Sequence, residues 1–165
     1  MHRIRVAIAF MLAVALTGAS AQESSELIDT YRRNFVRSSL GTKLELLKEA
    51  SAYDGVDMGP LYDTAIQFVL SNASLLSTDA LLRDISVLSV NMVRKYKYAP
   101  AAGHLWELFG IYKDALVRVP LLQTLAEVAV GNPAILKELN AFVDTQVSLA
   151  KSGVRIDQAV LDAAI

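Results

Sequence analysis

Two pentapeptides 35 residues apart, Asp79-Ala80-Leu81-Leu82-Arg83 and Asp114-Ala115-Leu116-Val117-Arg118, decide the reading of this chain. A third copy, Asp157-Gln158-Ala159-Val160-Leu161, follows after 43 residues without the arginine, and Thr42-Lys43-Leu44-Glu45-Leu46 precedes them as a weaker one. Self-similarity at such a period marks an array of small supersecondary units. Aspartate ahead of an apolar run suits a helix N-cap, where the carboxylate accepts from free N–H groups and meets the positive end of the dipole. Each copy is therefore expected to open the second helix of a pair, near residues 42–50, 78–97, 114–130 and from 157 onward. A single pair cannot bury its apolar face alone, so the pairs are expected to stack.

Outward from these segments, helical periodicity dominates and no alternating strand is found. Glycines between apolar runs divide the chain into about eight helices. The first is expected near Ser25–Ser38. Thr42, three residues before Glu45, reads as a capping box opening a helix to Ala50. Gly59-Pro60 places proline in a first turn, where its missing N–H costs nothing. Leu61, Ala65 and Phe68, with Tyr62, Ile66 and Val69, then form a broad apolar face. The fourth helix is expected from Ser77–Asp79, with Leu81, Ile85, Leu88 and Met92 as its stripe, and Ala99-Pro100 ends it. The fifth, Ala101–Tyr112, carries the single tryptophan, Trp106. The sixth, Asp114–Val130, contains Pro120, which predicts a kink. Gly131-Asn132-Pro133 ends it and starts the seventh, lined by Leu136, Leu139, Val143, Val147 and Ala150. Ser152-Gly153 leads to a last helix over 157–165.

In Asp79, Arg83, Asp114, Arg118, Asn132, Pro133 and Asp157 the chain resembles HEAT-like, armadillo-type helical repeats, above all the short variety of phycobilisome-lyase-type proteins. That pattern has an Asp turn, then Val-Arg opening an Ala/Leu-rich inner helix, then a Gly-Asp-Pro-like corner. The resemblance implies an all-α fold, an α-α superhelix of about four antiparallel helix pairs over residues 41–165, with a separate N-terminal helix over 22–40. It further implies inner helices lining a concave face for protein recognition, and arginines that reach the aspartate of a neighbouring repeat. Two other readings stay open: an irregular armadillo-like or other helical bundle, and a tetratricopeptide array. Trp106-x-x-Phe109-Gly110 suits the latter, but Tyr112 falls one position early and the later positions do not follow. The chain stops at Ala163-Ala164-Ile165 without a polar capping repeat. This implies either truncation of a longer protein or a C-terminal helix that docks on a partner or a second copy.

The N-terminus reads as an export signal. Arg3 and Arg5 precede an apolar run from Val6 to Leu16, and Ala19 and Ala21 occupy the −3 and −1 positions of a cleavage site before Gln22. The run is shorter than the roughly 20 residues that span a bilayer. Removal of residues 1–21 leaves 14 Lys+Arg against 17 Asp+Glu, a net charge of −3, with no global attraction to nucleic acid. Cysteine is absent, which excludes disulfides, thiolate metal sites and a cysteine nucleophile. Export without disulfides suits a bacterial periplasm.

Beyond residue 21 there is one histidine, His104. A catalytic zinc normally takes three protein ligands, and no nucleophile-elbow pattern surrounds a serine. His104 is expected in a structural role, Asp54-Gly55-Val56-Asp57 as a polar turn, and Glu45/Glu49 and Glu23/Glu26 as solvated carboxylates. No cofactor, metal site or catalytic set is expected. The one local constellation is Arg94-Lys95-Tyr96-Lys97-Tyr98, which could grip an anionic lipid, glycan or acidic peptide. Against that, cations complement a helix C-terminus while tyrosines pack beneath the next pair. The sequence thus points to an exported, periplasmic scaffold that binds protein partners. A self-associating envelope component and a lyase-like enzyme are the alternatives.

Overall fold

The computed structural model describes residues 22–165, which form helices joined by short turns; no strand occurs among them. Helix α1 covers 22–37, followed by α2 (Leu40–Ser51), α3 (Gly59–Ser71), α4 (Ala80–Tyr96), α5 (Ala102–Ile111), α6 (Ala115–Val128), α7 (Pro133–Lys151) and α8 (Gln158–Ala164). Short 3-10 turns at Ala73–Leu75 and Ala99–Ala101 precede α4 and α5. The export signal and its residues Ala19 and Ala21 lie outside the described residues; Gln22, the first described residue, lies in α1.

Short polar side chains start each even-numbered helix. Asp79 Oδ1 accepts from the N–H groups of Leu81 and Leu82 at 2.9 and 3.2 Å. Asp114 Oδ1 accepts from Leu116 at 2.9 Å, and Asp157 Oδ1 from Val160 at 3.3 Å. The first helix of this set differs from expectation. Ser39, not Thr42, is the cap of α2, its Oγ accepting from the Thr42 N–H at 3.4 Å. Its extended backbone aims the hydroxyl at the first turn. Glu45 pairs with Lys48 at 2.9 Å instead of reaching back. At the other corner, Asn132 Oδ1 caps the Ile135 N–H at 3.3 Å and Pro133 opens α7. Helix α6 continues through Pro120.

The helices pack in two rows. In one, α2 lies on α4, α4 on α6 and α6 on α8; in the other, α3 lies on α5 and α5 on α7, while α3–α4, α5–α6 and α7–α8 pack across the rows. Helix α1 joins through buried Tyr31 and Phe35, with the Tyr31 hydroxyl donating to Glu49 Oε1 at 2.9 Å. One contiguous core results, from Tyr31 and Phe35 to Val160.

Two apolar stripes are rotated from the expected ones. On α4 the buried face is Leu82, Ile85, Ser86, Ser89, Val90, Met92 and Val93, while Leu81 is 38% exposed and Leu88 half-buried. Two buried serines carry this stripe, so hydrophobicity alone misplaces its phase. Their small side chains admit close neighbours, and Ser86 Oγ bonds Leu82 O (2.7 Å) and the Tyr112 hydroxyl (2.8 Å). On α7 only Ile135 and Leu139 are buried; Val143 and Val147 are half-covered and Ala150 is exposed. The second half of that helix has no neighbour deep enough to cover it among the described residues.

The expected Asp–Arg ladder is reduced to one longer-range attraction: among the described residues no direct ion pair joins Arg83 or Arg118 to Asp79, Asp114 or Asp157, while burial lowers the Arg118 pKa and the charge of Asp157 in the next unit opposes that lowering. A cation–aromatic clamp stands in its place. Counting four residues from each cap reaches Lys43, Arg83 and Arg118. Lys43 Nζ sits 4.9 Å from the ring centroids of both Phe35 and Phe68, which meet edge to face. The Arg118 guanidinium lies 4.1 Å from Phe109 and 5.4 Å from Phe142, another edge-to-face pair. Each clamp thus ties two successive odd-numbered helices to one even-numbered helix. The middle position departs from this pattern, because Arg83 is exposed and its side chain makes no hydrogen bond or ion pair among the described residues. A ring quadrupole attracts a cation without demanding the precise fork geometry of a carboxylate, which suits a site already closed to water.

Candidate functional site

The even-numbered row leaves an open groove of about 600 Å3 where α2, α4 and α6 lie side by side. Its floor is apolar: Leu44 from α2, Val87 and Leu88 from α4, and Leu116 from α6. Polar groups edge it, with Lys48 on one side and Arg83, Asp84 and Asn91 along α4. Leu116 is 72% exposed, a large apolar side chain standing in solvent at a helix start. It occupies the second position after its aspartate cap, and Leu81, also exposed, is the same position one unit earlier. Position two after a cap faces away from the helix neighbours that bury positions three and seven, so this exposure follows from the register. Sequence reasoning missed the groove because Leu88 read as core; the leucine two residues after both Asp79 and Asp114 was the available signal.

The basic stretch at the end of α4 is not gathered into one surface. Arg94 Nε donates to Glu127 Oε1 at 2.6 Å and its NH1 to Gln123 Oε1 at 3.1 Å, linking α4 to α6. Lys95 Nζ reaches the Ser51 carbonyl at the end of α2. Tyr96 stacks on Tyr62, and its hydroxyl is buried without a hydrogen-bond partner among the described residues. Burial, then the nearby charges of Asp57 and Asp54, pushes the Tyr96 phenol up. Lys97 closes α4 in a left-handed conformation, φ 51°. Tyr98 folds back over Gly59, where a Cβ would lie 2.6 Å from the ring. Tyr98 too is pushed up by burial and by Asp63 and Asp57, with Arg32 opposing.

His104, 38% exposed, bridges α5 to α3, with Nδ1 2.7 Å from Asp63 Oδ1. The other carboxylate oxygen of Asp63 accepts from Gln67 at 3.0 Å, so the pair is anchored on α3. Asp57, from the expected polar turn, accepts the Gly59 N–H at 2.8 Å and so helps start α3. Among the described residues no group of three or more His, Asp or Glu could hold a metal ion, and no helix is long and apolar enough to cross a membrane. Comparison with protein-family models, with curated proteins and with solved structures finds no match to this chain.

Proposed function

We propose that residues 22–165 form a short HEAT-like α-α solenoid, exported to the periplasm, that binds a partner protein in the groove over α2, α4 and α6. Three features support the solenoid reading. The helices pack in two rows, each element on the next of its own row. Equivalent caps at Ser39, Asp79, Asp114 and Asp157 start one row. Equivalent cation clamps bind the other row to it at Lys43 and Arg118. Stacked repeats of this kind offer a continuous face to extended partners.

The observation that carries the binding role is Leu116, exposed in the apolar lining of a groove with charged edges. Interfaces of this make-up, apolar at the centre and polar at the rim, are what partner proteins cover. Capture of envelope proteins on the immobilised chain tests it. The parent is expected to retain a protein that the Val87→Asp/Leu116→Asp variant does not, with equal thermal stability of the two. Identical captured sets would refute the groove. Export is tested by the N-terminus of the secreted product, expected at Gln22. Self-association is the second reading, favoured by Leu149, Val154 and Ile165, all exposed near the C-terminus. It predicts a mass that rises with concentration in sedimentation.

A further inference from the structure

The opposite row carries a second concavity, independent of the groove. Asp29, Arg32, Arg33, Val36 and Arg37 of α1 and Thr64 of α3 line a cleft of about 380 Å3. We infer that this cleft is a binding site for a phosphate group. Its three guanidiniums face one carboxylate: Asp29 lies 3.7 Å from Arg32 and is more than half exposed. Two of them are oriented by neutral hydroxyls. Arg32 Nε donates to Thr64 Oγ1 at 3.0 Å, while the Thr64 hydroxyl donates its own proton to the Pro60 carbonyl at 2.9 Å. Arg33 NH2 donates to Thr30 Oγ1 at 3.1 Å, and that hydroxyl donates to the Glu26 carbonyl at 2.8 Å. Each threonine thus holds a guanidinium in place without cancelling its charge, leaving further N–H groups for a ligand. The Arg37 side chain has no partner among the described residues and lines the same cleft.

Ordinary helix electrostatics does not account for this crowding. Cations gather at helix C-termini to meet the exposed carbonyls. At the end of α1, however, the buried Lys43 ammonium already donates to the carbonyls of Phe35, Val36 and Ser38. Arg33 and Arg37, four residues apart on one face, repel each other instead. Planar forks converging on a small cleft match the oxygens of a phosphate, which accepts bidentate pairs from arginine. The net charge of the cleft, +2, opposes the roughly −1.5 to −2 that a phosphate monoester carries at neutral pH.

A phosphate can come from a soluble compound or a lipid headgroup, and titration separates them. Calorimetry with inorganic pyrophosphate, and co-sedimentation with phosphatidylglycerol or phosphatidylcholine vesicles, are run on the parent, on Arg33→Glu/Arg37→Glu, and on Lys137→Glu/Lys151→Glu. The last changes net charge equally at exposed residues of α7. Pyrophosphate binding that falls at least about tenfold only in the α1 variant supports the site with a soluble ligand. Phosphatidylglycerol binding lost only in that variant supports a headgroup. Absence of both kinds of binding, or equal loss in the two charge variants, overturns the inference. Far-UV circular dichroism checks that the exposed substitutions leave the helices intact.

Discussion

Replacing Lys43 by methionine tests whether the cation clamp holds the first two odd-numbered helices to α2. Methionine keeps the unbranched stem and removes only the ammonium. The side chain is 4% exposed, and its nitrogen donates to three carbonyls at the end of α1. The Phe35 carbonyl keeps the Ser38 N–H as a second donor, whereas those of Val36 and Ser38 lose their cation. Two partly buried carbonyls stranded in this way cost about 2 kcal/mol together. Loss of the contacts with Phe35 and Phe68 adds about 1–2 kcal/mol. Against this stands the relief of no longer burying a charge, since burial lowers the Lys43 pKa from 10.5. That lowering says the ammonium is less stable here than in water, yet removing it leaves its acceptors unpaired, and the second effect dominates for buried ions. The net expectation is a loss of about 2–3 kcal/mol, or a urea midpoint lower by about 1 M. Equilibrium unfolding followed by helical ellipticity at pH 7 measures it, and a midpoint within about 0.2 M of the parent would refute the clamp. The pH dependence supplies a sign check. The unfolded chain holds the Lys43 proton more tightly than the folded one, so this residue makes stability rise as pH climbs toward 10.5. Lys43→Met removes that rising contribution.

Gly59→Ala should destabilise by about 1–2 kcal/mol in the same assay, because its Cβ meets the Cβ and ring root of Tyr98 and overpacking outweighs the gain in helix propensity. Stability should fall as pH rises above 10, where the unfolded chain ionises its tyrosines while burial holds the phenols of Tyr31, Tyr62, Tyr96, Tyr98 and Tyr112 protonated. Tyr62→Phe, which also gives up a hydrogen bond to the Leu47 carbonyl, should flatten that fall in melting temperature against pH. Asp114→Ala removes the single side-chain cap of α6 and should cost about 1 kcal/mol by urea unfolding, while Asp114→Asn should cost far less.

Local chemistry was legible from the chain alone. The aspartates at 79, 114 and 157, the Asn132-Pro133 corner and the proline at the start of α3 bound the helices where their side chains or rings permit nothing else nearby. Caps and proline act within one turn of their own backbone, so a sequence window contains all the physics they need. The weak copy failed because Ser39 and Thr42 are both able caps, and the choice between them rests on where α1 ends. Stripe phase failed on α4 for a related reason: a serine is buried or exposed according to what lies against it, and Ser86 is buried because Tyr112, 26 residues on, comes to meet it.

Composition and periodicity by themselves determined that this chain is helical, where most of its helices begin, and that it has no cysteine chemistry. Only the tertiary structure decided which leucines stay in solvent, that Lys43 and Arg118 stack on phenylalanines rather than pair with aspartates, and that three arginines share a cleft with a threonine from another helix. The division is physical. Capping and helical propensity depend on residues a few positions apart, whereas burial, clamps and clefts depend on which distant helices become neighbours, and that is settled by the packing of all of them at once.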